Sequence, residues 1–568
     1  MNRAPVVVPE TSSPAPAGAT RSPNVVALMG NHPLSGVSVW CERMTRPGSA
    51  ATPWSVLVVG EGLRAEDLAE FPGWGSERIH LAAWRRGDSP VDQVLAVRAA
   101  LRALDADVVI PNDVPHGFAC AALDAARGLR AAAVIHADDP RYEELLARAA
   151  PHVAAWRAVS RGATRRAAPL ANLQGEAGPG GVIPCGVDVP ALPSPRPTGA
   201  TLRLLYAGRL DHAYKRCLDL VRLADELHAR ACPFVLTVVG DGPASDAFAR
   251  AAAEHALAGR IRLPGRVRAA EVRGLLESHD ALVMVSASEG HPTVAVEAMA
   301  ASRACALTEG CGGAAARARD GIDAIIVPIG DMHAMAGRLH NAFLAGTFAR
   351  MGAAAHAAAR REYDLARLAP EYDRLIAEAR GVVPLFLGGS PASLREAWHS
   401  VLAILESIGP CTENKLADLA LNWLASLGVP VTHARRGQSA LRVGALELPL
   451  RAPGIPAVAE VRLARAARDL RAQGVSRIAL YGAGLHTRRL RHVVESLPEI
   501  VAILDDRAGL PPPLGPGERL WNLPILSPER LREAGVGGVI ISSDEHEANM
   551  LRRASHWPVR VVPLYAAA

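Results

Sequence analysis

Ala281-Leu282-Val283-Met284-Val285-Ser286-Ala287-Ser288-Glu289-Gly290-His291-Pro292-Thr293-Val294-Ala295-Val296-Glu297-Ala298-Met299-Ala300 is the stretch on which the fold of this chain turns. Residues 281–285 form an apolar run of strand length, and 286–291 are turn-forming. Pro292 suits the first turn of a helix, where its missing N–H is not needed. The pattern predicts a buried strand, a turn carrying Glu289, and a helix carrying Glu297 more than one turn inside. A helix N-terminus at the end of such a strand offers free N–H groups and a positive dipole, which suit a phosphate.

The same strand, turn and helix alternation extends outward in both directions. Short apolar runs at 25–28, 55–59, 79–82, 108–110, 133–135 and 155–159 are separated by helix-like segments such as 91–104. After the proline-rich stretch 190–197, a stiff linker, a second series runs through 203–206, 234–239, 260–263, 281–285, 304–307 and 324–327. A helical stretch over 332–380 closes it. Alternation of this kind predicts α/β domains with largely parallel sheets, and two of them joined by a hinge predict a ligand cleft between them.

Composition narrows the functional classes. The 568 residues suggest roughly three to four domains, and no run approaches the about 18 to 20 apolar residues that span a bilayer. Residues 1–22 read as a disordered lead-in rather than a signal peptide. Eight scattered cysteines, with no Cys-x-x-Cys and no metal-spaced His/Cys cluster, fit reduced thiols in a cytoplasm and no metal site. A net charge of +5 and an aromatic content of 4% argue against nucleic acid. Arg157, Arg161, Arg165 and Arg166 have spacings compatible with one helical face, either solvated or turned to an anionic inner-membrane surface. Of 62 basic residues only Lys215 and Lys415 are lysines. Arginine presents a planar fork and lysine a compact charge, so a retained lysine points to a specific contact.

The motifs resemble those of the retaining glycosyltransferases of family 4, with their GT-B fold and Glu-x7-Glu motif. Glu289 and Glu297 stand at its two acids, with Gly290, His291, Pro292 and Thr293 between them. Gly208-Arg209 through Lys215 is similar to the family's arginine and lysine pair. Gly240-Asp241-Gly242-Pro243 is similar to its Gly-Asp-Gly-Pro turn. Pro184-Cys185-Gly186-Val187-Asp188 resembles its Pro-Asn-Gly-Val-Asp segment, with cysteine for asparagine. The loop ending at Val267 resembles the one whose backbone meets the nucleobase. Gly36 stands alone where the family often has a glycine pair, and His136 ends a strand where the family histidine touches the transferred sugar. The likeness covers about residues 24–380.

The resemblance implies an α/β GT-B fold, with an acceptor-side domain (23–190) and a donor-side domain (191–380) facing across a cleft. It implies a UDP- or GDP-sugar donor, a glycan or lipid-linked acceptor and no required metal or other cofactor. Arg209, Lys215 and the helix N-terminus would hold the diphosphate, Glu289 the sugar and Glu297 the ribose. Gly36, Gly240, Asp241 and Val267 complete the expected donor contacts, with Glu289 and His136 as the catalytic pair. Asp138 and Asp139 either receive an acceptor hydroxyl or serve a turn. Asp105-Ala106-Asp107 spells a metal motif of another glycosyltransferase fold, but it precedes a strand and reads as a turn.

Residues 381–470 read as a mixed, partly helical connection. From 471 to 568 a Rossmann-like unit is expected, with strands at 477–480, 501–504 and 538–542. Gly482, Gly484 and Asp505 match a dinucleotide site in part, so NAD(P) is a candidate ligand there. Thr487 stands where a third glycine would be, and ligand sensing or docking is preferred to catalysis. Two alternatives accompany the enzyme reading: a nucleotide-sugar-binding assembly module with weak turnover, and a bifunctional protein whose last domain performs redox chemistry.

Overall fold

The computed structural model describes residues 22–450, apart from 32–34, 172–180, 196–198, 255–258, 384–389, 437–439 and a few single positions. Beyond 450 it describes chiefly 470–482, 497–506, 519–541 and 547–563. The lead-in 1–21 and Gly484 lie outside the described residues. The chain divides into two compact units, Met1–Pro453 and Gly454–Ala568.

The first unit holds two parallel sheets. Strands β1 (Val25–Met29), β2 (Ser55–Glu61), β3 (Ile79–Trp84), β4 (Val108–Ile110), β5 (Arg130–Ile135), β6 (Val153–Ala158) and β7 (Gly181–Val182) pair in the order 3-2-1-4-5-6-7. Strands β8 (Leu202–Ala207), β9 (Phe234–Val239), β10 (Ile261–Gly265), β11 (Ala281–Met284), β12 (Ala304–Thr308) and β13 (Ala324–Val327) pair in the order 10-9-8-11-12-13. Every residue of β1, β11 and β12 is buried. Strands covered by helices on both faces show such unbroken apolar runs rather than alternation. The strand order reverses between β1 and β4 and again between β8 and β11, and open α/β sheets bind ligands outside such points. The stretch that opened the sequence reading is therefore the strand and helix beside one switch point.

Helix α1 (Gly36–Met44) follows β1, started by a reciprocal cap in which the Ser38 N–H donates to Ser35 Oγ (3.0 Å) and the Ser35 N–H to Ser38 Oγ (2.9 Å). Helices α2 (Pro90–Ala103), α3 (Pro115–Leu123) and α4 (Pro140–Ala149) flank the sheet. The expected single stretch 332–380 is three helices, Met332–Leu344, Phe348–Glu362 and Leu365–Gly381. Gly346, at φ +63°, separates the first two in a left-handed conformation that glycine adopts readily. Between the others the chain crosses back to the first sheet: the Val187 N–H donates to Tyr363 O (2.8 Å) and the Leu365 N–H to Val187 O (2.9 Å). The last helix then packs on the first domain, where Trp40 Nε1 donates to the Tyr372 hydroxyl (3.0 Å).

Residues 391–450 form an outer layer on that domain rather than a bare connection. Helices Pro391–Ile408 and Glu413–Ser426 and a small antiparallel sheet, β14 (Arg435–Arg436), β15 (Ala440–Val443) and β16 (Leu446–Pro449), share one apolar core with α2–α4. Trp398 and Trp423 stack with centroids 5.6 Å apart, and Trp398 Nε1 donates to Pro449 O (2.7 Å). Lys415 pairs with Asp92 and donates to Ser89 Oγ (3.1 Å) at the start of α2. Burial works against ionisation of Asp92, yet the Lys415 ammonium and Ser89 hold its carboxyl below the usual range.

The second unit is a sheet in the order 19-20-18-17-21-22, built from β17 (Ile478–Tyr481), β18 (Ile500–Leu504), β19 (Arg519–Leu520), β20 (Leu523–Leu526), β21 (Gly538–Ile541) and β22 (Arg560–Pro563). All its pairings are parallel except β19 with β20. Strands β20 and β22 were not expected, because Pro524 and Pro563 lie within them and proline demotes a run to non-strand in a sequence reading.

Candidate active site

On the donor side, the loops after β8, β9 and β11 meet. The Gly208 N–H donates to Val239 O and the Leu210 N–H to Asp241 O, each at 3.0 Å. A Cβ on Gly240 would lie 2.0 Å from Gly208 O, and one on Gly242 would lie 2.4 Å from Leu210 O. The Gly-Asp-Gly turn thus needs its glycines so that two backbones can touch, which fixes the root of Arg209. The Asp241 carboxylate accepts from the Ser245 hydroxyl (2.5 Å) and the Gly242 N–H (2.7 Å), which lower its pKa. The carboxylate thus ties the turn to the first residue of the helix Ser245–Glu254.

Arg209 has a side chain 66% exposed, with only a loose 3.9 Å approach to Asp211. Asp211 accepts from the Ala213 N–H (2.8 Å), shaping the turn that delivers Lys215. Lys215 Nζ lies 2.5 Å from Glu289 Oε1, and Ser286 Oγ donates to the same oxygen at 2.8 Å. The two residues chosen from motifs 74 positions apart are in direct contact.

Gly290 brings this cluster to the first domain. A Cβ there would stand 1.9 Å from His136 O, so only glycine lets the Glu289 loop reach the end of β5. Gly36 plays a milder version of this part: its Cβ would lie 3.2 Å from Thr293 Oγ1. Pro292 is the N-cap and Thr293 the first residue of the helix Thr293–Ala300, one step later than the expected start at Pro292. His291 follows Gly290 in the same loop. Its ring turns into the core against Tyr363 (centroids 5.2 Å apart), and among the described residues neither ring nitrogen has a hydrogen-bond partner. Burial, with Arg317 and His136 adding repulsion, pushes its pKa down to about 3. Val267, past β10, packs on the apolar face of the second domain.

His136 follows β5, with Nε2 3.0 Å from Asn112 Oδ1 and its ring 4.7 Å from that of Trp40. The Asn112 amide nitrogen is already spent on Leu28 O (2.7 Å), so its oxygen must accept and His136 Nε2 must carry the proton. Desolvation pushes the His136 pKa down to about 3. The ring is therefore neutral near pH 7, with Nδ1 left as an acceptor and not as an acid.

Asp138 accepts from Arg165 and from Arg166 Nε (2.7 Å), and Asp139 caps α4, so both serve structure. This also revises the basic patch. Arg157 lies in β6 and pairs with Glu378 (2.7 Å), while Arg165 and Arg166 grip Asp138, so the four do not share a helical face. Among the described residues no helix is long and apolar enough to cross a membrane, and no group of three His, Cys, Asp or Glu could hold a metal ion.

Glu297 carries an unforeseen partner. Arg43, near the end of α1, binds its Oε1 and donates through its other terminal nitrogen to Gly186 O (3.1 Å). Beside this pair lies a cavity of about 480 Å³ between α1, Val187–Asp188, residues 268–276 and the later turns of the helix Thr293–Ala300. Arg43, Asn112 and Ser286 are the functional candidates that sequence reasoning missed. Only Ser286 had a usable signal, a hydroxyl at the C-terminal end of the strand that precedes Glu289.

In the second unit, Asp505 is 5% exposed. Asp506 is occupied by the Tyr481 hydroxyl (2.8 and 2.9 Å) and Arg553 (2.7 Å). Asp506 thus faces protein partners, and the expected NAD(P) contact gains no support; Gly482 follows β17 with its N–H donating to Leu504 O (2.7 Å).

Residues 201–343 match the family model of the glycosyl transferases group 1. Among solved structures, the chain is similar to Alr3699/HepE of Anabaena in complex with UDP and glucose, at 14% identity over 63% of this chain and 100% of that one, with a TM-score of 0.50. The same protein in complex with UDP-glucose aligns at 15% identity over 62% and 98%, also with a TM-score of 0.50. A glycosyltransferase from Rickettsia africae ESF-5 aligns at 14% identity over 63% and 99%, with a TM-score of 0.49. No curated protein sequence matches the chain. The fold is GT-B, two Rossmann-like domains facing across a cleft. Its second domain carries the match to the glycosyl transferases group 1 model.

Proposed function

We propose that this chain is a retaining, metal-independent glycosyltransferase of family 4 that moves a sugar from a UDP- or GDP-sugar to a glycan or lipid-linked acceptor in the cytoplasm. The observation that carries the reading is the convergence of Lys215, Glu289 and the end of β5 at one point of the cleft. HepE is seen with UDP-glucose, which makes UDP-glucose the first donor to test.

The chemistry follows from charge. The acceptor oxygen bonds to the anomeric carbon, the bond from that carbon to the phosphate oxygen breaks, and the acceptor proton passes to the departing phosphate. Negative charge grows on the diphosphate and must meet fixed cations and dipoles. Lys215, now neutralised by Glu289, Arg209 with its exposed guanidinium, and the N-terminus of the helix Thr293–Ala300 supply them. Glu289, released from Lys215, takes sugar hydroxyls and faces the positive charge that develops at the anomeric carbon. Neutral His136 accepts a sugar hydroxyl at Nδ1.

A thermal-shift screen against nucleotide sugars, followed by donor-hydrolysis assays, tests this. Glu289→Ala should lower kcat by about a thousandfold, while Lys215→Ala should chiefly raise the donor KM. Unchanged turnover in both variants would sink the assignment.

A further inference from the structure

We infer that Arg43 is a positioning residue that sets the Glu297 carboxylate for the donor's ribose, so that the ribose site is completed only when the first domain lies against the second. The inference rests on the glycosyltransferase reading, which gives Glu297 its ligand. Arg43 is fixed on both sides. Its residue is 8% exposed, one terminal nitrogen is anchored on Gly186 O at 3.1 Å, and the other holds Glu297 Oε1. Among the described residues no other group is bonded to Glu297, whose side chain is 20% exposed and lines the 480 Å³ cavity. One carboxylate oxygen is therefore committed to the first domain and the other is left for a hydroxyl in the cavity.

A free glutamate on a helix samples several rotamers. A glutamate tied to a guanidinium that is itself tied to backbone does not, and the ordering cost is met before the donor arrives. The planar fork is what makes this work, because two nitrogens must point in fixed, divergent directions. Arg46, just past the end of α1, pairs with Asp188 (2.5 Å), which also lines the cavity. The Arg43 pair thus ties the first domain to the helix Thr293–Ala300 beside the cavity.

The test measures binding of UDP and GDP, and of their 2′,3′-dideoxy forms, to the full-length wild type and to Arg43→Met, Arg43→Lys and Glu297→Gln. Thermal melting of each variant is recorded alongside. For the better-bound base, Arg43→Met should weaken the ribonucleotide about tenfold, near the low end of what losing one charge-assisted contact removes. It should leave the dideoxy form, which has no hydroxyl to offer Glu297, within about twofold. Arg43→Lys should fall between, and Glu297→Gln should reproduce the pattern. In turnover the Arg43→Met loss should sit in the donor KM rather than in kcat. Equal weakening of ribo and dideoxy forms, or no weakening, would overturn the inference and leave the enzyme reading standing. A wild type that binds neither nucleotide would overturn both. Arg43→Lys and Glu297→Gln keep the comparison available if Arg43→Met does not fold.

Discussion

Replacing His291 with methionine should make the first unit more stable, and increasingly so as the pH falls. The ring is buried, touches Tyr363, and among the described residues leaves both nitrogens unpaired. An unsatisfied buried polar group costs about 1–3 kcal/mol, and methionine fills irregular core space of similar size without that demand. The pH term has a definite sign. The folded pKa of about 3 lies below the unfolded value near 6.5, so below that value the unfolded chain binds more protons and stability falls with acid. Each unit of pH then costs ~1.4 kcal/mol, which amounts to ~2 kcal/mol between pH 6.5 and pH 5. His116 and His152, each pushed to about 4 by burial, add the same slope in both proteins and cancel in the difference. Urea unfolding of wild type and His291→Met at pH 7.5, 6 and 5 reads the result. The stability gap should start near 1 kcal/mol and widen to about 3 kcal/mol at pH 5. Parallel curves, or a variant less stable at pH 7.5, would refute the reasoning.

Lys215→Arg should impair turnover at least about tenfold even though charge is kept, because a fork cannot replace a compact ammonium beside Glu289; steady-state kinetics with the best donor checks it. Gly290→Ala places a methyl where His136 O stands, so the loop must withdraw, and kcat should fall about a hundredfold with the donor-side domain still folded by circular dichroism. Asp124→Ala strips two arginines of their shared carboxylate, Arg98 at 2.6 Å among them with its side chain 8% exposed. Leaving such a cation unpaired should cost about 3–5 kcal/mol in chemical denaturation.

Much of this architecture was legible because its signals are local. Apolar runs of strand length flagged β1–β6 and β8–β13 even though their bounds moved by up to three residues. Lys215 and Glu289 were legible as members of motifs that keep their order along the chain. What stayed hidden depends on tertiary geometry. Arg43 meets Glu297 across 254 positions, and no local pattern announces such a partner. Asn112 reads as an ordinary turn residue, and its φ of +52° agrees. Only the packing around it turns its amide into the group that sets the His136 tautomer. His291 shows the opposite failure, since a turn placed correctly in sequence does not reveal which side chains face inward.

The backbone pairing of Val187 with Tyr363 and Leu365 has a mechanical consequence. The polypeptide passes between the two GT-B domains twice, and these hydrogen bonds clamp the two passages side by side as a double-leaved hinge. The two domains are therefore joined at two covalent passages, the linker and residues 363–365, in place of one. This also makes the exposed linker dispensable for cohesion. A protease cutting at Leu192, which is 78% exposed, would sever one leaf while the other, and the helix Leu365–Gly381 behind it, keeps the halves aligned.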